Sequence, residues 1–265
     1  MKPPTSDIIE PGILSPSVAI HPAIQVGSVS YLNAKPLTRG IRSYVKKLEP
    51  SALAAELRAG RLDVGLVPLM EVLEAPVDTY RVANGIAIGA EREVYSVYLN
   101  YTGALPAIKT VALDPASKTS VELVRIVLEK FYLLKPRYVS PDEPADAQLL
   151  IGDPAIEHRQ ANPEQNYLDL AGAWREHTGL PFVFAVWALR LPWLRAWTVA
   201  RQLRRAQAIG LNRRHEIART PFERHYLTEH LSYALGPRQK KAVALFGELL
   251  AQTGRIAATP KLIYI

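Results

Sequence analysis

The sequence predicts an α/β protein of two lobes with a ligand cleft between them. Three observations carry this expectation. Short β-prone runs alternate with helical stripes from Ile24 onward, the rhythm of βαβ units and largely parallel sheets. Small polar residues collect where those strands end and helices begin. After Pro192 the rhythm gives way to helix, so the last third must pack back on a lobe already built. Lobes joined by shared crossings leave a cleft, and ligands favour domain interfaces. The expected division is a flexible N-terminal arm at 1–23, a discontinuous first lobe at 24–102 and 190–265, and a second lobe at 103–189, with hinges near 100–106 and 185–192.

Each element has its own signal. The arm carries Pro3, Pro4, Pro11, Pro16 and Pro22, too many fixed φ angles for a helix. Ile24 to Val29 is β-prone and ends in the polar turn Ser30, Tyr31, Leu32, Asn33. Ser51 is placed to cap a helix to about Ala59, with Leu53 and Leu57 on one face and Gly60 as its stop. Asp63 to Val67 is a compact apolar strand, and Pro68 opens the helix through Met70, Val72 and Leu73. Arg81 to Ile88 and Val94 to Tyr101 are two further strands.

The second unit begins with a strand at Thr110 to Leu113 and the loop Asp114 to Lys118. A helix from about Thr119 to Leu133 aligns Val121, Val124, Val127, Leu128 and Phe131. Arg137 to Val139, Gln148 to Ile151 and Tyr167 to Leu170 are strands; Asp153-Pro154 opens one short helix, and Ala171 to His177 forms another, stopped by Gly179. Phe182 to Leu189 is an apolar, aromatic strand of a buried kind. Helices follow at roughly 193–218, 222–234 and 237–252.

Composition narrows the function. An apolar fraction of 48% and a charged fraction of 22% are those of a globular chain. No apolar run reaches the roughly 18 residues that span a bilayer, so no membrane insertion is expected. The first residues lack the apolar stretch of a signal peptide, and cysteine is absent, so the cytoplasm is the expected compartment. The six histidines show no metal-ligand spacing, and no metal site is expected. The formal net charge of +7 gathers at Arg201, Arg204, Arg205, Arg213 and Arg214, then Arg238, Lys240 and Lys241. Without aromatic interleaving this reads as a solvated face, or as a field that attracts a small anion, and not as a nucleic-acid site.

No glycine-rich phosphate loop, zinc helix or nucleophile elbow occurs. Ser117, Thr119 and Ser120 sit at a helix start, and Asp153 at another. A helix N-terminus has unpaired N–H groups and partial positive charge, so it suits a carboxylate. The same residues also serve as ordinary caps, and both readings stand for this cluster and for Asp153.

A set of motifs then carries a resemblance. Val26-Gly-Ser-Val-Ser-Tyr-Leu-Asn-Ala-Lys-Pro-Leu37 is followed in order by Asp63-Val-Gly-Leu-Val-Pro68, Ser96-Val-Tyr-Leu99, Ala112-Leu-Asp114 with Ser117-Lys-Thr-Ser-Val-Glu-Leu123, and Leu150-Ile-Gly-Asp-Pro-Ala155. The block Asp169 to Ala188 contains Thr178-Gly-Leu-Pro-Phe-Val-Phe184. Together these resemble the menaquinone-pathway chorismate dehydratase family over about residues 24 to 260. The resemblance implies a type II periplasmic-binding-protein fold, with an activity that converts chorismate to 3-[(1-carboxyvinyl)oxy]benzoate and water, without a cofactor. It implies Asn33 and Ser96 as catalytic residues, and Ser30, Tyr31, Ser117, Thr119, Ser120 and Asp153 as substrate-binding residues. The proton at C3 goes either to Asp153 or to the substrate's own enolpyruvyl carboxylate. The partners implied are the substrate and, at most, further copies of the chain. Two alternatives are a 1,4-dihydroxy-6-naphthoate synthase-like enzyme, which the Ser-Tyr-Leu-Asn turn and the Thr-Gly-Leu-Pro-Phe block disfavour, and a small-anion-binding protein without catalysis.

Overall fold

The computed structural model describes residues 17–115 and 117–265. Two sheets divide the strands. The first half of the chain supplies β1 (Val26–Ser28), α1 (Lys35–Thr38), β2 (Val45–Lys47), α2 (Pro50–Arg58), β3 (Val64–Pro68), α3 (Leu69–Leu73) and β4 (Arg81–Ala90). Then come β5 (Val97–Tyr101), β6 (Thr110–Ala112), α4 (Lys118–Ile126), β7 (Arg137–Val139), β8 (Ala147–Ile151), α5 (Gly152–Ala161), β9 (Asn166–Asp169) and α6 (Leu170–Thr178). The remainder holds β10 (Phe182–Leu189), α7 (Trp193–Asn212), α8 (Arg214–Ile217), α9 (Pro221–His225), α10 (Pro237–Gln252) and β11 (Ile263–Tyr264). The first sheet has the order β11-β4-β10-β3-β1-β2, the second β7-β6-β8-β5-β9.

The sheets are mixed, not largely parallel. β10 runs antiparallel to β3 and β4, and β5 runs antiparallel to β8 and β9. The reason is topological: each of these strands enters its sheet from the other one. That also corrects the division into lobes. The pairing puts β5 in the second sheet and β10 in the first, so the chain passes between sheets at 91–96 and 170–181 rather than at 103 and 189.

The N-terminal arm needs a second correction. Residues 17–23 are docked: Val18 bridges Ile41, Ile20 is buried, and the Ile20 N–H donates to Ser43 Oγ at 2.8 Å. The rest of the expected flexible arm lies outside the described residues. Ser51 is not a cap either, because α2 begins one residue earlier with Pro50 in its first turn and Glu49 at the cap position. The helices expected at 119–133 and 222–234 both convert to π-helical turns, at Val127–Phe131 and Tyr226–His230. Strand β10 has the bounds the sequence predicts.

The core is aromatic where α6, β10 and α10 meet. Trp174, Phe182 and Phe246 are buried with edge-to-face rings 5.1–5.8 Å apart, the arrangement that ring quadrupoles favour. On the far side α7 lies against α1 with almost no side chain between them. A Cβ on Gly210 would sit 1.8 Å from the Pro36 carbonyl oxygen, so only glycine allows this approach. Among the described residues no helix is long and apolar enough to cross a membrane.

Candidate functional site

The cleft between the sheets is lined by apolar side chains, among them Val29, Leu66, Ile88 and Phe184, with five polar ones: Tyr31, Asn33, Ser96, Ser117 and Ser120. No charged side chain lines it, among the described residues. A negative ligand here meets hydroxyls, an amide and backbone dipoles in an environment where hydrogen bonds are strong because water is scarce.

Ser96 sits just before β5, and its placement has a visible cause. Asp169, at the start of α6, accepts N–H bonds from Val94 at 3.1 Å, Tyr95 at 2.7 Å, Ala171 at 3.1 Å and Gly172 at 3.0 Å. One carboxylate thus ties the two crossings together. It also holds Tyr95 at a φ of 68°, a left-handed conformation that a non-glycine residue adopts only under restraint. Burial pushes the Asp169 carboxyl up from its ordinary range, against the pull of those N–H donors. Ser96 follows at once, wholly buried, and its Oγ accepts the Tyr226 hydroxyl at 2.8 Å.

Asn33 lies on the 3-10 turn Leu32–Ala34 that follows β1. Its carbonyl oxygen accepts the Tyr233 hydroxyl at 3.1 Å, and its side chain lies near enough to the Tyr226 phenol to favour the ionised form against burial. Its Oδ1 is buried with no partner. An unpaired buried acceptor is costly, and here it belongs to a residue that lines the cleft. Tyr31, on the same turn, donates to Glu49 at 3.2 Å; burial first, then the Glu49 charge, pushes its phenol up to about 12. Its ring covers Gly152, whose φ of 67° and 3.1 Å Cβ clearance to that ring leave room for no side chain.

Ser117 and Ser120 face the cleft at the start of α4. Ser117 caps the helix, accepting the Ser120 N–H at 3.5 Å, and the two hydroxyl oxygens are 3.2 Å apart. Thr119, between them, points elsewhere. It is buried, and its Oγ1 accepts the Met70 N–H of α3 at 3.1 Å, fastening the second lobe to the first. Asp153 also fastens: both its oxygens accept the Leu32 N–H, at 3.0 and 3.1 Å. Burial raises its carboxyl above the ordinary value, with that N–H pulling the other way, and the side chain does not line the cleft. Ser30 is exposed and outside the cleft. Of the eight residues singled out in the sequence, five therefore line the cleft (Tyr31, Asn33, Ser96, Ser117 and Ser120), two join the lobes, and one faces solvent. Tyr226, Tyr233 and Asp169 had no such reading; they reach the site only through the fold.

Two mixed sheets exchanging strands around a polar-tipped cleft define the class: this is a periplasmic-binding-protein-like fold. Within it, the chain belongs to the menaquinone biosynthesis family, whose model matches residues 24–252. It is 31% identical to the chorismate dehydratase of Thermus thermophilus over 258 residues, covering 85% of this chain and 94% of that protein. A chorismate dehydratase of Campylobacter jejuni is 29% identical over 157 residues, 58% of each chain. Among solved structures, a protein from Archaeoglobus fulgidus superposes with a TM-score of 0.68 at 16% identity, covering 91% of this chain and 99% of that one. The periplasmic aliphatic sulphonate binding protein of Escherichia coli superposes at 0.58 with 14% identity, covering 93% and 96%. At such identities the likeness concerns the fold alone.

Proposed function

We propose that this chain is a chorismate dehydratase, a lyase that removes water from chorismate to leave 3-[(1-carboxyvinyl)oxy]benzoate. The observation that carries this reading is the 31% identity spanning 94% of the Thermus thermophilus enzyme, and the cleft suits the chemistry. Chorismate is a dianion with a hydroxyl at C4 and a hydrogen at C3. The C3–H bond breaks and its electron pair becomes a ring π bond. The C4–O bond breaks, and the oxygen departs with a proton as water. The ring becomes aromatic, so the step is downhill and no electrons change hands with a second reactant. What remains for the protein is to fix the conformer and stabilise the departing oxygen.

The residues divide that work. Ser117, Ser120 and the N-terminal N–H groups of α4 hold one carboxylate. Asn33 Oδ1 accepts from the C4 hydroxyl, and Ser96 donates to it as negative charge develops. Asp153, engaged by Leu32 and set back from the cleft, is a clamp on the Asn33 turn. The C3 proton therefore goes to the substrate's enolpyruvyl carboxylate, which the ether oxygen ties to C3 itself, and then to the departing hydroxide, completing the water.

Incubation with chorismate, followed by ultraviolet absorption, tests the reading. It expects the diene spectrum to give way to that of a substituted benzoate. Chorismate that binds but is recovered unchanged would favour a binding protein on the same fold.

A further inference from the structure

We propose that Tyr226 is a positioning residue for this dehydration, turning the Ser96 hydroxyl into a fixed donor aimed at the cleft. The inference rests on the reading that the cleft dehydrates chorismate, and it concerns a residue 130 positions from Ser96 in sequence.

A serine hydroxyl has one hydrogen, two acceptor lone pairs and free rotation. Alone it would serve a ligand hydroxyl as donor or acceptor equally well. At Ser96 that freedom is removed. Tyr226 and Ser96 are both wholly buried, and the phenol donates to Ser96 Oγ at 2.8 Å. With a lone pair so occupied, the serine's own hydrogen must point elsewhere, and the cleft is the side the residue lines.

The phenol's direction is set in turn. The phenol hydrogen is directed at Ser96 Oγ, and the Asn33 side chain lies beside the same phenol. Burial raises the Tyr226 phenol well above its ordinary value, so it keeps its hydrogen. The result is one directed bond from Tyr226 Oη to Ser96 Oγ, with Asn33 beside it. The two groups left over are the Ser96 hydrogen and the unpaired Asn33 Oδ1. They form a donor set by one tyrosine and an acceptor next to it, a pair that matches an alcohol which must be gripped and then lost.

The backbone around Tyr226 is built for the task. Tyr226 begins the π-helical turn Tyr226–His230, and seven residues on Tyr233 donates to the Asn33 carbonyl oxygen. One segment thus holds the Asn33 backbone and aims Ser96. Widened turns of this kind recur at functional sites.

The test uses Tyr226→Phe, Ser96→Ala and the double variant beside the wild-type protein, with chorismate as substrate. Tyr226→Phe keeps the ring and removes one oxygen. It should lower kcat about tenfold, as the loss of one buried hydrogen bond does when converted to rate, with KM and melting temperature nearly unchanged. The double variant should be no slower than Ser96→Ala alone, since the phenol then has nothing to aim. A fully active Tyr226→Phe, or a double variant slowed by both factors multiplied, would overturn the proposal. So would a fall in kcat matched by a collapse in melting temperature that replacing Tyr226 with 3-fluorotyrosine, a stronger donor of nearly the same shape, does not answer with a raised kcat. A wild-type protein that leaves chorismate intact would instead overturn the dehydratase reading beneath it, and this proposal with it.

Discussion

Thr119 and Ser120 are neighbours on one helical turn, yet the structure gives them opposite tasks. Thr119→Val keeps the side-chain shape and deletes the oxygen that accepts the Met70 N–H. That donor is buried between the lobes, so it loses its partner without gaining water. Such a group costs about 1–3 kcal/mol, which in a chain of this size lowers the melting temperature by roughly 2–4 °C per kcal/mol. Ser120→Ala loses only a 3.2 Å contact with the Ser117 hydroxyl, so its stability should hardly change. Its hydroxyl faces the cleft, however, and a hydrogen bond to a charged group contributes about 1.5–3 kcal/mol. The KM for chorismate should therefore rise about tenfold to a hundredfold. Thermal melting by circular dichroism and steady-state kinetics on the same two preparations decide the matter. Thr119→Val that melts like wild type but binds poorly, with Ser120→Ala the reverse, would refute the assignment of both side chains.

Two other consequences are independent of the chemistry. Gly210→Ala would drive a Cβ into the Pro36 carbonyl, backbone against backbone; overpacking costs about 1–3 kcal/mol and more where nothing can yield, so thermal melting should show a large loss and an unchanged curve would disprove the α1–α7 approach. Asp146 is held below its ordinary range by the Lys109 N–H, then the Thr110 hydroxyl and N–H, each at 2.9 Å. A carboxyl with a lowered folded value stabilises the protein above its unfolded value, about 3.9, and that contribution is lost as pH falls through the folded value. Asp146→Asn should therefore flatten the acid side of a melting-temperature profile, and a profile parallel to wild type would exclude the effect.

The signals that the sequence carries are local ones, and the structure separates them from the rest. Phe182 to Leu189 is readable to the residue because eight apolar or aromatic positions stand between Pro181 and Arg190. β2 and β11, with three and two residues, are too short to show a period. The π-helical turns keep the apolar spacing of an α-helix, so nothing in the pattern marks where the winding changes. Strand exchange is hidden for a different reason: which sheet takes β5 or β10 depends on partners far away in the chain. The same holds at the site. Asn33 and Ser96 stand in recognisable motifs, and Ser117 and Ser120 at a helix start. Tyr226 sits among Glu223, Arg224, His225 and Glu229, where it looks like a surface aromatic. Thr119 and Asp153 illustrate the opposite error, since polar residues beside a site can join lobes instead of touching ligand.

The measurement that bears most directly on the account compares wild-type protein with Asn33→Ala, each mixed with chorismate and followed by proton magnetic resonance, with the melting temperature recorded on the same samples. The wild type should lose the C3 and C4 signals of chorismate as four aromatic ring signals appear, with water as the other product. Asn33→Ala should melt close to wild type and convert chorismate about a hundred- to a thousandfold more slowly, an effect of the size seen when a catalytic hydrogen-bonding group is lost, because the reacting hydroxyl is then no longer gripped beside the Ser96 donor. Unchanged chorismate with the wild type, or equal rates in the two proteins, would contradict the assignment of dehydration to this cleft.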